Sequence, residues 1–259
     1  MSADNQLKNN RVGEVSYSKY GTKATIIQYK NNKQVLIEFN DDYHYQYWTK
    51  YTNFINRSIT NPYDKNICSC GFIGAGKYNS KHKAYPTWFN MIKRCYGKVT
   101  TSNESYLGCT VDKEWHNFQN FAKWFDEHYY ECNETLMIDK DISVKNNKVY
   151  SSKTCLLVPK TLNLIFVNSQ SRKNNLPTGV SIIRKGNRFK YQVFLSTSAD
   201  KSTSHNSTVY LGMFNYADDA FLAYKKAKEQ YIKNILLHYK GIVPEDVYNT
   251  IYNYEVTMW

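Results

Sequence analysis

The sequence predicts an α+β fold in three parts: a small N-terminal β-barrel, a central α/β module, and a C-terminal three-stranded sheet packed on one helix. Three observations carry this. Apolar residues alternate with period two near the start of the chain and again in 179–214. Residues of about 84–130 carry aromatics at helical spacing. A further helical stripe runs through 217–237. At 259 residues the chain has room for two or three small domains, and an aromatic content of 16% excludes a wholly disordered one. The expected segments are 1–62 (the barrel), 63–170, 171–240, and a tail at 241–259.

In the first segment, KATIIQYKNNKQVLIEF alternates on both sides of Asn31-Asn32, a hairpin signal. Strict alternation puts Ala24, Ile26 and Gln28 on one face and Ile27 and Tyr29 on the other. Val35, Ile37 and Phe39 then alternate with Gln34, Leu36 and Glu38. Over this length the segment resembles a small Tudor- or KOW-like β-barrel. Next come two helices. Trp88, Met91, Ile92 and Cys95 form one apolar stripe, and Trp115, Phe118, Phe121, Ala122, Trp124 and Phe125 form another. Residues 136–163 read as a strand ending at Asp139-Lys140-Asp141, an Asn-rich turn, a second apolar stretch at 155–158, and a short helix from Pro159. The polar stretch 168–178 is the best linker candidate.

Residues 179–237 read as three strands (GVSIIR, RFKYQVFLS, STVYLGMF) and one long helix. Asp218 and Asp219 in the first turn and Lys233 near the end suit the helix dipole. Ala220, Tyr224, Ala227, Tyr231 and Ile235 form the stripe that meets the sheet. Alternation in the second strand separates Arg188, Lys190, Gln192 and Phe194 from Phe189, Tyr191, Val193 and Leu195. The first face is basic and polar. The second is apolar, and Phe189 is expected in the core. The tail carries Tyr248, Tyr252, Tyr254 and Trp259, candidates for packing back on the body.

The formal net charge is +12, and it is uneven. Residues 171–240 hold 12 basic and 4 acidic side chains, net +8, whereas 241–259 hold 3 acidic and no basic ones. Such a concentration attracts polyanions by counterion release, so nucleic acid is the first candidate partner. No run of about 18 apolar residues and no leader-like apolar core is present, so no membrane partner and a cytoplasmic location are expected. The six cysteines are expected as reduced thiols. Cys68-Ser-Cys70 is too closely spaced for a usual zinc knuckle, which leaves Cys95, Cys109 and Cys132 as the remaining zinc candidates.

Gly179-Val180, the aromatic-led second strand, Tyr210-Leu211-Gly212, Phe214, Ala220 and Tyr224 together resemble the Apetala2-type DNA-binding domain, over about 60 residues. That resemblance implies a sheet docked in the major groove of duplex DNA, with the helix on the far side. Ser181, Lys185 and Tyr210 match groove-facing positions, and alternation puts Arg188, Lys190 and Gln192 on the basic face, free for phosphates and base edges. Arg184 is a basic neighbour that alternation puts on the opposite face. Ser181, Ile183 and Thr208 stand where the family often has arginines.

The stretch IDKDI…YSSKTCLLVPKTLN is similar to the HNH (ββα-metal) module of phage homing endonucleases. Asp139 matches the motif's Asp and Asn163 its last Asn. Lys140 stands in place of the general-base His, and Cys155 in place of the middle Asn. An imidazole can accept a proton from water, whereas a protonated lysine amine cannot. The resemblance implies a degenerate module in which Lys140 touches a phosphate. If the module is active, Asp139, Lys140 and Asn163 are catalytic, with Asp139, Asp141 and Asn163 near a Mg2+ or Mn2+ ion. The whole arrangement resembles a phage-encoded homing-endonuclease relative in a bacterial host. Three functions follow as expectations: a double-stranded-DNA-binding protein without a cofactor, a metal-dependent nickase or endonuclease, or a phage protein that inhibits a host defence protein by direct binding.

Overall fold

The computed structural model describes residues 10–101, 104–166, 176–185, 188–197 and 208–258, with the side chains of Lys185 and Arg188 outside that set. The expected linker lies outside the described residues over 168–175, as does Trp259. The fold is mixed α+β, and the chain divides into two compact units, Met1–Asp126 and Glu127–Trp259.

In the first unit, β1 (Val15–Tyr17), β2 (Lys23–Asn31), β3 (Gln34–Phe39) and β4 (Gln46–Thr49) form an antiparallel sheet in chain order. This corrects the barrel expectation: the sheet is open, with β1 and β4 at opposite edges. Four short strands are too few to curl round and pair edge to edge. The apolar face is covered instead by α1 (Tyr51–Ile55), whose Phe54 packs with Ile59 over Ala24, Ile26, Val35, Ile37 and Phe39. Strict alternation also fails in β2. The register shifts between Ile26 and Gln28, so Gln28 pairs Leu36 while Tyr29 pairs Val35 and packs on the core. The extra residue, Ile27, is a β-bulge that exchanges the faces beyond it.

The two aromatic stripes are core, as expected. Trp88, Met91 and Ile92 of α2 (Tyr85–Tyr96) are fully buried, and Cys95 is half-buried. Trp115 lies in a 3₁₀ turn before α3 (Phe118–His128), whose Phe118, Phe121, Ala122, Trp124 and Phe125 are buried. The Trp88 indole N–H donates to the Trp115 carbonyl at 2.6 Å, which satisfies a buried donor that packing alone would leave unpaired.

In the second unit, β5 (Leu136–Asp139) pairs antiparallel with β6 (Leu156–Pro159), and α4 (Lys160–Phe166) follows at once. A three-stranded antiparallel sheet is built from β7 (Val180–Lys185), β8 (Arg188–Ser196) and β9 (Thr208–Phe214), with β8 in the centre. The 21-residue helix α5 (Ala217–Leu237) serves both parts. Its first half places Ala220, Phe221 and Tyr224 against Val180, Val193 and Leu195 of the sheet. Its second half places Ile232, Ile235 and Leu236 against Ile142, Val158, Leu162 and Ile165 of the strand–strand–helix element. The tail adds α6 (Glu245–Tyr252), with Val247 and Ile251 in that second core. Tyr248 and Tyr254 pack against it, while Tyr252 is exposed. Asp218 and Asp219 occupy the first turn of α5, but Lys233 stands short of its last turn, where no basic residue lies.

Phe189 is corrected: it is 63% exposed. The register is as expected, since Phe189 shares a face with Tyr191 and Val193. It sits at the start of the strand, however, outside the set of side chains packed against α5. Gly179 has φ +77, and a methyl there would lie 2.1 Å from the Tyr224 ring. The chain therefore needs glycine at this point both for its backbone and for the close approach of α5. Gly179→Ala is expected to lose at least about 2 kcal/mol of stability, from left-handed strain and overpacking together. Phe189→Ala is expected to lose less than about 1 kcal/mol. Thermal unfolding of both variants checks the pair.

The tail is fastened to the sheet domain by charge and backbone bonds. Glu229 Oε1 accepts from Lys225 Nζ at 2.6 Å and from the Val256 N–H at 2.8 Å, and the Thr178 N–H donates to the Met258 carbonyl at 3.1 Å. Burial alone would raise the Glu229 pKa, but these bonds and the Lys225 charge hold it below the ordinary carboxylate value. A depressed folded pKa means that the stabilisation is complete above the unfolded pKa, about 4.3, and is lost as pH falls through the folded value. The stability difference between the native chain and Glu229→Gln is therefore expected to shrink on acidification through that window. Chemical denaturation at neutral pH and below pH 4 measures it.

Candidate nucleic-acid interface

Among the described residues the three-stranded sheet is packed by α5 on one face only, and the backbone register decides which side chains face away. On β8, Tyr191, Val193 and Leu195 go to the helix, and Lys190, Gln192 and Phe194 to the other face. Across the ladder, Lys190 pairs Ile183, Gln192 pairs Ser181 and Met213, and Phe194 pairs Tyr210. Paired residues share a face, so Ser181, Ile183, Tyr210 and Met213 join the uncovered side. Arg184 pairs Phe189, is exposed, and belongs to the helix-side ladder, as alternation predicts. Lys185 and Arg188 pair with each other at the closed end of the hairpin, and their side chains are outside the described set.

Strict alternation in β9 would put Tyr210, Gly212 and Phe214 together. The register instead shifts at Leu211: Val193 pairs Gly212 and Phe194 pairs Tyr210. Gly212 takes φ +128 there, Leu211 and Phe214 turn to the helix, and Met213 turns outward. Met213 is thus a surface residue that alternation misses. The signal for it was a glycine inside a strand, which often marks a bulge.

The uncovered face is chemically mixed. Phe194 is 41% exposed, Tyr210 53% and Met213 38%, and the Phe194 and Tyr210 ring centroids are 5.2 Å apart. Ser181 donates its hydroxyl to the Gln192 carbonyl at 3.3 Å. Lys190 Nζ donates to Asn215 Oδ1, which holds the ammonium at the rim of the apolar patch. Asn215 is a second residue that the sequence reading did not single out.

The strand–strand–helix element holds the other expected residues. Asp139 ends β5 opposite Leu156, and its Oδ1 accepts from the Asp141 N–H at 2.7 Å and the Ile142 N–H at 2.8 Å. Burial raises its pKa against the pull of those two bonds. Lys140 is only 6% exposed; its Nζ lies 2.6 Å from Asp141 Oδ2 and 5.6 Å from the centre of the Tyr150 ring. As placed, its ammonium is engaged by Asp141. Burial pushes the Cys155 thiol up to about 12, so no thiolate is available near neutral pH. Asn163 on α4 is half-buried, with a buried Oδ1 that has no hydrogen-bond partner among the described residues. The donor set fits a divalent cation poorly. One Asp139 oxygen is turned to backbone N–H groups, Asp141 is engaged by Lys140, and that ammonium would oppose a second positive charge. Among the described residues no group of three or more His, Cys, Asp or Glu side chains could hold a metal. No helix among them is long and apolar enough to cross a membrane.

No protein-family model, no curated protein and no solved structure matches this chain.

A substitution pair separates the structural role of Asp139 from any chemical one. Asp139→Ala removes both backbone bonds and is expected to lose about 1–3 kcal/mol. Asp139→Asn keeps an acceptor oxygen without the buried charge and is expected to hold native stability within about 1 kcal/mol. Urea unfolding measures both, and a larger loss in the Asn variant contradicts the assignment.

Proposed function

We propose that this chain is a double-stranded-DNA-binding protein that lays the uncovered face of its three-stranded sheet in the major groove. One observation carries the reading: among the described residues the sheet is backed by a helix on one side only, and its other side carries half-buried Lys190 and Gln192 and exposed Phe194 and Tyr210 within a segment of net charge +8. The dimensions agree. Three strands at about 4.8 Å spacing put the outer two about 10 Å apart, and the major groove of B-DNA is about 12 Å wide. The lysine and the hydrogen-bonding side chains then meet phosphates and base edges, while α5 remains outside. The strand–strand–helix element serves in this reading as a scaffold against the neighbouring backbone, without cleavage. Lys140, where a base would be needed, is a cation bonded to Asp141. A bacteriophage origin and the cytoplasm of a bacterial host belong to the proposal on the resemblances alone.

The test is a mobility-shift titration of the purified chain with duplex DNA over a salt series, with and without Mg2+ or Mn2+. Binding is expected to weaken steeply with salt and to need no metal. Arg188→Ala combined with Lys190→Ala is expected to weaken binding and to lower the log–log salt slope by about 0.9 for each phosphate contact removed. An unchanged slope contradicts the assignment of this face. Metal-dependent nicks that disappear in Asp139→Ala would make the chain a nuclease instead. A stable complex with a host protein and no duplex binding would favour the inhibitor reading.

A further inference from the structure

The centre of the uncovered face is a block of two cross-strand pairs that neighbour each other on that face, Gln192–Met213 and Phe194–Tyr210, with the helix-side pair Val193–Gly212 between them in the ladder. Three of its four side chains are largely apolar and the fourth is an amide. Exposed apolar side chains this close together ordinarily mark a contact surface. The one cation described on this face, Lys190, is bonded to Asn215 beside the block. On the DNA-binding reading proposed above, this composition bears on which base pairs the face accepts.

Each base pair offers the major groove a distinct edge. Guanine presents two acceptors and is matched by a forked cation such as arginine. Cytosine presents an amino donor. Thymine presents an oxygen and a C5 methyl group, and adenine an acceptor and a donor that one Gln amide can bridge. A phenyl ring and a thioether over a G·C pair would cover its polar groups without satisfying them, which costs free energy. Over an A·T pair the same groups meet a methyl and remove apolar surface from water. Gln192, two residues from Phe194 on the same face of β8 and so about 7 Å along the strand, is placed to take the adenine of a neighbouring step.

We infer that the sheet selects A·T-rich duplex by packing Phe194 and Met213 on thymine methyl groups, with Gln192 bridging adenine. Phe194 and Met213 are then specificity-determining residues, and thymine C5 methyls are the ligand groups they read. A methyl in apolar contact is worth about 0.8 kcal/mol, or about fourfold in Kd.

The experiment uses the full chain and fluorescence anisotropy at one fixed salt concentration, with three duplexes of equal length. One is A·T-rich without A-tracts. One has the same sequence with deoxyuridine for every thymidine, which removes the methyls and leaves base pairing intact. One is G·C-rich. The A·T duplex is expected to bind at least about tenfold tighter than the G·C duplex, and the uridine duplex about fourfold or more weaker than its thymidine parent. Phe194→Ala and, separately, Met213→Gln are expected to reduce the thymidine–uridine difference. Both residues are partly exposed, and the uridine comparison itself needs no variant. Equal affinity for thymidine and uridine duplexes, or equal or tighter binding of G·C, overturns this inference while the DNA-binding reading stands. No binding of any duplex overturns both.

Discussion

The second unit depends on one helix being buried twice. The side chains of α5 fall on two cores in succession, the sheet through Ala220, Phe221 and Tyr224, and the strand–strand–helix element through Ile232, Ile235 and Leu236. Neither partner brings a large core of its own. A lone three-stranded sheet or a lone hairpin with a two-turn helix buries too little apolar surface to hold together. Joined along one rod about 31 Å long, they stand as one body. Among the described residues the same arrangement leaves the far face of the sheet open. Because α5 covers one face only, the alternation of β8 becomes a division between structural and exposed side chains. The tail reinforces the joint: α6 extends the second core, and residues 256–258 bond back to Glu229, Lys225 and Thr178.

The strand–strand–helix element is instructive for what its charges are doing. Asp139, Lys140 and Asp141 are consecutive, yet each is engaged locally. Asp139 caps the turn that follows it, and Lys140 closes on Asp141 beside Tyr150. Burial acts against ionisation at Asp139 and Cys155 alike. These groups hold a turn together. The proposed division of labour, recognition by the sheet and support by this element, rests on that local engagement.

Much of the fold was legible because its signals are periodic and local. The aromatic stripes of α2 and α3, the three strands and the long helix of the C-terminal part, and the strand–strand–helix order around Asp139 all follow from spacing. The departures have particular causes. Single extra residues at Ile27 and Leu211 exchange the faces of β2 and β9, and a period-two reading cannot carry across a bulge. Phe189 has the expected register but lies outside the helix contact, and side-chain burial depends on what packs above a residue as well as on its parity. The open N-terminal sheet reflects long-range edge pairing, which short alternating runs do not specify. The tail helix went unread although Pro244, Glu245 and Asp246 mark its start and Val247 and Ile251 its inner face. The division of α5 between two cores could not be read at all, since one uninterrupted stripe looks the same whether it meets one partner or two. On the candidate face, Lys190, Gln192, Phe194 and Tyr210 follow from alternation, whereas Met213 lies beyond the bulge at Leu211 and Asn215 beyond the end of β9, where alternation carries no information.

The most direct test of the central claim is a map of the contact surface in solution. Amide and side-chain NMR spectra of the full chain, recorded with and without an A·T-rich duplex, report which residues change environment on binding. The account predicts shifts concentrated at Ser181, Lys190, Gln192, Phe194, Tyr210 and Met213, with the exposed side of α5, for example Leu222, unaffected. Shifts centred on α5 or on the N-terminal sheet, with the uncovered face silent, would contradict it.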